Sequence, residues 1–159
     1  MTAYDFSAGD IFELAVDIEV NGTEFYTKAA EQVTDPSHKQ LLQGLAKMEV
    51  EHKKTFEQMR KELAEKEKSA PVFDPEGDAA AYLQALADIR VFFDKEIDTS
   101  TMKNILMAAI TAEKDSIVLY LGMKELVPEK FGRNRIDAII KEEMKHIRML
   151  SAELKKQKA

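Results

Sequence analysis

The feature that most constrains this chain is a repeat of polar residues set into otherwise apolar helical faces. Glu19, Tyr26, Glu49 and His52 recur as Glu113, Tyr120, Glu143 and His146, each at an offset of 94 residues. Four residues of functional type in register twice within 159 residues point to duplication of one unit. The repeat is too long for a solenoid element and occurs only twice, so the chain has to fold as two copies facing each other.

That unit reads as a helical hairpin. Strand-type alternation is missing, and six Gly and four Pro leave few interruptions. Phe12, Ala15, Val16, Glu19, Gly22, Thr23, Tyr26, Ala29 and Ala30 share one face and predict a helix over 10–31. Ser7, with Asp10 three residues on, opens it in a variant capping box. Asp35 as N-cap and Pro36 at the first helical position restart the chain into a helix over 36–67. Its inner face carries Leu41, Leu42, Leu45, Met48, Glu49, His52 and Phe56. A third helix over 100–126 opens at Thr99 or Ser100 and presents Ile105, Leu106, Ala109, Ile110, Glu113, Ser116, Ile117 and Tyr120. A fourth over 130–156 presents Ile136, Ile139, Ile140, Glu143, His146, Ile147, Leu150 and Leu154. Residues 69–99 form a long crossover with a short helical piece near 79–87. The expected fold is all-α: one domain over 1–159, a four-helix bundle of two hairpins joined by that crossover.

Within this bundle four glutamates and two histidines stand where Leu or Ile would normally be. Glu49 and His52, like Glu143 and His146, are three residues apart and so lie on one helix face. Glu19 and Glu49 are each 15 residues from Thr34, and Glu113 and Glu143 each 15 from Pro128. At about 1.5 Å per residue both pairs sit roughly 22 Å from their turns, and if the crossover spans the bundle's length a pseudo-twofold axis brings all six to one depth. Four buried carboxylates cannot remain ionised together uncompensated. Two divalent cations would neutralise them, and a set of carboxylates with two imidazoles suits iron or manganese better than structural zinc. The plain alternative is a helical bundle with a polar core or a degenerate site.

Glu19, Glu49-x-x-His52, Glu113 and Glu143-x-x-His146 resemble the ferritin-like diiron carboxylate proteins. Ile18-Glu19-Val20-Asn21-Gly22-Thr23-Glu24-Phe25-Tyr26 and Tyr82-Leu83-Gln84-Ala85-Leu86-Ala87 resemble the stand-alone rubrerythrin-like branch, over about residues 10–155. The resemblance implies a ferritin-like four-helix bundle holding two iron ions. Glu49 and Glu143 would bridge them, Glu19 and Glu113 would be terminal ligands, and His52 and His146 would bind one iron each. Tyr26 and Tyr120 resemble the tyrosines beside the metals in that superfamily, or are core aromatics whose hydroxyls meet a carboxylate. The implied activity is a diiron peroxidase or ferroxidase, reducing hydrogen peroxide or dioxygen with ferrous iron. Alternatives are an iron-binding protein serving storage or transfer, and a helical interaction module with a vestigial site. A cage-forming ferritin is disfavoured because no clear fifth helix follows the fourth.

Two departures from full rubrerythrins stand out. The chain has no Cys, hence no rubredoxin-type iron site, and an external electron donor protein is expected. The further Glu that rubrerythrins carry three residues after the third-helix ligand is Ser116 here. The missing Cys also excludes disulfides, Cys-ligated zinc, iron–sulfur clusters and thiol nucleophiles. A net charge of −6 argues against nucleic acid as a partner. An acidic N-terminus and no long apolar run argue against a signal peptide and membrane insertion, and a cytoplasmic homodimer is expected. His38 reads as a surface residue, and Met48 and Met144 as core filler. Gly22 and Gly44 read as sites of close helix approach.

Overall fold

A computed structural model describes residues 8–66, 78–89 and 97–157. Four long helices dominate: α1 (Ala8–Gln32), α2 (Pro36–Lys66), α4 (Met102–Leu126) and α5 (Arg133–Lys156). The short helix α3 (Asp78–Ile89) lies in the crossover, and no strand occurs among the described residues. The fold is an all-α helical bundle, as the periodicity predicts. No described helix is long and apolar enough to cross a membrane.

Local chemistry sets the helix boundaries. Asp35 Oδ1 accepts from the backbone N–H groups of Ser37 (2.8 Å) and His38 (3.4 Å), so α2 starts on the expected Asp-Pro pair. The N-cap of α4 is Thr101, not Thr99 or Ser100. Its hydroxyl accepts from Asn104 N at 3.1 Å, while Asp98 takes the N–H of Ser100 at 2.9 Å and holds that residue in the approach. Helix α5 begins at Arg133 rather than 130, because a 3₁₀ turn over Glu129–Phe131 ends at Gly132. Gly132 has φ 100°, a conformation that only glycine adopts without strain. The expected Ser7 cap and residues 67–77 and 90–96 of the crossover lie outside the described residues.

Helix α1 packs along α2, and α4 along α5. Two apolar clusters fill the bundle. One gathers Ile11, Phe12, Ile18, Phe56, Met59, Leu119, Met123, Ile136 and Ile140, with Leu83 of α3. The other gathers Ala29, Ala30, Leu42, Leu45, Ile105, Leu106, Ala109 and Leu150. Each long helix contributes to both, and on each the polar inward residues fall between its two contributions. The α1–α2 turn closes one end of the bundle and the α4–α5 turn the other. The end of α2 and the start of α4 therefore lie at opposite ends of the bundle, and the two hairpins oppose each other as the repeat requires.

Three expectations change. Met48 and Met144 are exposed, because each is one residue from an inward glutamate and so rotated about 100° away from the core. His38 is half-buried rather than free at the surface, its Nε2 lying 3.1 Å from Glu153 Oε1. Gly44 meets nothing within 4 Å of an added Cβ, so close approach does not explain it. Gly22 does border a close contact, but with the side chain of Glu49.

Candidate metal centre

Glu19, Glu49, His52, Glu113, Glu143 and His146 are all buried, and they form most of the buried polar set among the described residues. Every residue singled out in the sequence for this cluster is present in it. They fall into two overlapping groups of four, Glu19–Glu49–His52–Glu143 and Glu49–Glu113–Glu143–His146. Within each group, one potential ligand atom per residue lies within 4.8 Å of all the others. Glu49 and Glu143 belong to both groups.

Both histidines aim Nδ1 at the carboxylates. His52 Nδ1 lies 3.2 Å from Glu143 Oε1 and 3.5 Å from Glu19 Oε2. His146 Nδ1 lies 3.2 Å from Glu113 Oε1, 3.2 Å from Glu143 Oε2 and 3.5 Å from Glu49 Oε1. The two rings are nearly parallel, at 21°, with centroids 5.6 Å apart. The tyrosines cross between hairpins. Tyr26 of α1 donates its hydroxyl to Glu113 Oε1 of α4 at 2.6 Å, and Tyr120 of α4 donates to Glu19 Oε1 of α1. Each tyrosine thus fixes the carboxylate that its own hairpin does not supply.

One participant escaped the sequence reading. Glu142, immediately before Glu143, reaches from α5 to α2 and places Oε2 2.5 Å from His52 Nε2. Nothing in its own helix marks it, since it lies among charged neighbours on the half-exposed side.

The electrostatics are those of a crowded acidic pocket. Burial first, and then the charge of Glu49, hold the Glu19 carboxyl well above the ordinary carboxylate range. Burial likewise lifts Glu113, to about 8. Desolvation disfavours a charged His52, but the adjacent carboxylates of Glu143 and Glu19 outweigh it and hold the imidazole at about 11. The same contest holds His146 at about 12, through Glu113, Glu143 and Glu49. Glu143 sits below its usual range, since the neighbouring Glu113 carboxyl and both imidazoles overcome its burial. Protons bound among these groups do the work that cations would otherwise do.

The donor set fits metal. Glu19 Oε2, Glu49 Oε1, His52 Nδ1 and both oxygens of Glu143 are buried without a hydrogen-bond partner. Orphaned polar atoms of that kind are costly unless a further ligand completes them. All five belong to the two four-residue groups, and oxygen with imidazole nitrogen is a donor set for first-row divalent cations. A small recess lined by Gly22, Phe25, Ala112 and Ser116 adjoins Glu49 and Glu113. Ser116 turns its hydroxyl back to Ala112 O at 3.0 Å and offers the centre no carboxylate.

Comparison with known proteins agrees with this architecture. The rubrerythrin family model matches residues 10–98. The chain is also similar to a solved Thermotoga maritima structure described as a ferritin-like diiron-carboxylate protein. The TM-score is 0.71 at 24% identity, covering 98% of this chain and 99% of that one, a likeness of fold. Curated proteins return no match. The family match spans the first hairpin and the crossover, and the 94-residue repeat carries the same polar register into the second hairpin.

Proposed function

This chain belongs to the rubrerythrin family, and from that premise we propose a non-haem diiron oxidoreductase that reduces hydrogen peroxide. The observation that carries the reading is the pair of overlapping ligand groups sharing Glu49 and Glu143. In this reading Glu49 and Glu143 would be shared by both metals, Glu19 and His52 would complete one position, and Glu113 and His146 would complete the other. When bound, a ferrous pair supplies two electrons, one from each ion, to a small oxidant.

The chain's own residues set the conditions for that chemistry. The two apolar clusters above and below the centre exclude water, which strengthens every charge interaction between them. Tyr26 and Tyr120 keep their protons, since burial and then the nearby carboxylates raise both phenols well above their usual range. They therefore act as donors that hold Glu113 and Glu19 in place. The recess beside Glu49 and Glu113 is no larger than a single water molecule, so the centre is closed to anything bulkier as it stands. Electrons to restore the ferrous state come from a separate donor protein, because a chain without Cys carries no rubredoxin-type centre.

A second reading, ferroxidase activity serving iron storage or transfer, is favoured by one feature. Ser116 stands where a further carboxylate would permit a ligand to shift between redox states. Anaerobic loading with ferrous iron, then stopped-flow oxidation by peroxide or dioxygen, separates the two. The peroxidase reading expects about two irons per chain and faster oxidation by peroxide. Faster oxidation by dioxygen supports the ferroxidase, and well under one iron per chain defeats both. Glu49→Ala removes a carboxylate common to both groups and is expected to abolish the paired site. An unchanged iron count in that variant would refute the bridging role.

A further inference from the structure

We propose that Glu142 is a positioning residue that makes the two metal positions unequal, so that the position built on His52 binds a divalent cation more tightly than the one built on His146. The inference rests on the dinuclear reading above and concerns residues outside the six ligands.

The six candidate ligands and the two tyrosines recur in both halves, but the group behind the histidine does not. Glu142 Oε2 lies 2.5 Å from His52 Nε2, while His52 Nδ1 faces Glu143 and Glu19. A proton on Nε2 shared with that carboxylate leaves the Nδ1 lone pair directed into the centre. Such a carboxylate–imidazole pair fixes the tautomer, fixes the ring and makes the ligating nitrogen more basic. His146 presents Nδ1 to Glu113, Glu143 and Glu49 in the same way. Its Nε2, however, is buried and has no hydrogen-bond partner among the described residues.

The repeat explains the gap. The position 94 residues before Glu142 is Met48, an exposed thioether on α2 that offers neither charge nor a strong acceptor. Because the rings of His52 and His146 are nearly parallel and similarly placed, gross position does not separate them. What differs is the group behind each ring. Losing a partner of this kind costs about 10–100-fold in metal affinity, which sets the expected inequality.

Cobalt(II) titration of the metal-free full-length chain, followed by its ligand-field absorption, tests the idea without any turnover. Wild type should take up about two ions in two steps separated by about tenfold or more. Glu142→Leu should weaken one step by about 10–100-fold at unchanged total uptake, with Glu142→Gln, which keeps an acceptor, lying between. Met48→Glu should strengthen the weaker step by a similar factor, and it guards against a folding defect in the first variant. In zinc-loaded protein, the slowly exchanging Nε2–H proton of His52 should be seen by NMR and lost in Glu142→Leu. Two cobalt ions bound with affinities that neither Glu142→Leu nor Met48→Glu alters would overturn the proposal and leave the dinuclear reading standing. Failure of wild type to bind a second ion would overturn the dinuclear reading itself.

Discussion

Two glycines inside helices allow a paired experiment in which the same substitution spares metal binding at one position and weakens it at the other. Replacing a helix-interior Gly by Ala stabilises by about 0.5–1 kcal/mol where the new methyl is unopposed. Gly44 is such a site, with nothing within 4 Å of an added Cβ. For a chain of this length each kcal/mol moves Tm by about 2–4 °C, so Gly44→Ala should raise Tm by roughly 1–4 °C with or without metal. At Gly22 the added Cβ would stand 3.1 Å from Glu49 Oε2, 3.4 Å from Cδ and 3.5 Å from Cγ. Relief requires the carboxylate to retreat by a few tenths of an ångström, more than the roughly 0.2 Å tolerance of a metal–ligand bond. Gly22→Ala should therefore keep part of the helical gain in chelator yet lose at least about tenfold in metal affinity. That loss removes about 1.4 kcal/mol of metal-linked stability. Thermal melts in chelator and in excess manganese(II) give both numbers from one preparation. If Gly22→Ala retains the full metal-induced rise in Tm seen in Gly44→Ala, Glu49 does not bind where its carboxylate stands.

Tyr120→Phe keeps the ring packed against Phe56 at 5.2 Å but strips Glu19 Oε1 of its donor. Leaving a buried acceptor unpaired costs about 1–3 kcal/mol, a fall in Tm of roughly 2–12 °C. A melt within about 1 °C of wild type would show the bond to be energetically idle. The pH dependence should reverse sign with metal. Glu113 at about 8, His52 at about 11 and His146 at about 12 all hold protons more tightly folded than unfolded. Their contribution to metal-free stability is complete below their unfolded values of 4.5 and 6.5 and is lost as pH climbs through the folded ones. Metal binding must displace those protons, so affinity should rise over the same range. Melts at pH 6 and pH 9, in chelator and in excess manganese(II), measure both trends, and parallel behaviour of the two states would contradict the proton–metal exchange.

What could be read from the sequence follows from the geometry of a helix. A Glu at an apolar position is conspicuous because the face is periodic, and equal distance from a turn places Glu19 beside Glu49 before any coordinate is known. Register along a helix is thus legible. Contacts across helices are much less so: Glu142 is one more acidic residue on a charged face until α5 is laid against α2. The sequence places the cap of α4 at Thr99 or Ser100 and misses Thr101 because the three are chemically interchangeable as caps, and only Asn104 N selects Thr101. The start of α5 was misplaced because a 3₁₀ turn precedes it. Duplication nevertheless makes some of the illegible part recoverable. Where two copies of one hairpin agree, as at Glu19 and Glu113, the shared residues define the centre. Where they differ, the difference marks what the two halves do separately. Gly22 opposite Ser116 lies along the recess, and Met48 opposite Glu142 lies behind the histidines. An offset that first served to find the fold therefore also identifies the positions at which its two halves cease to be equivalent.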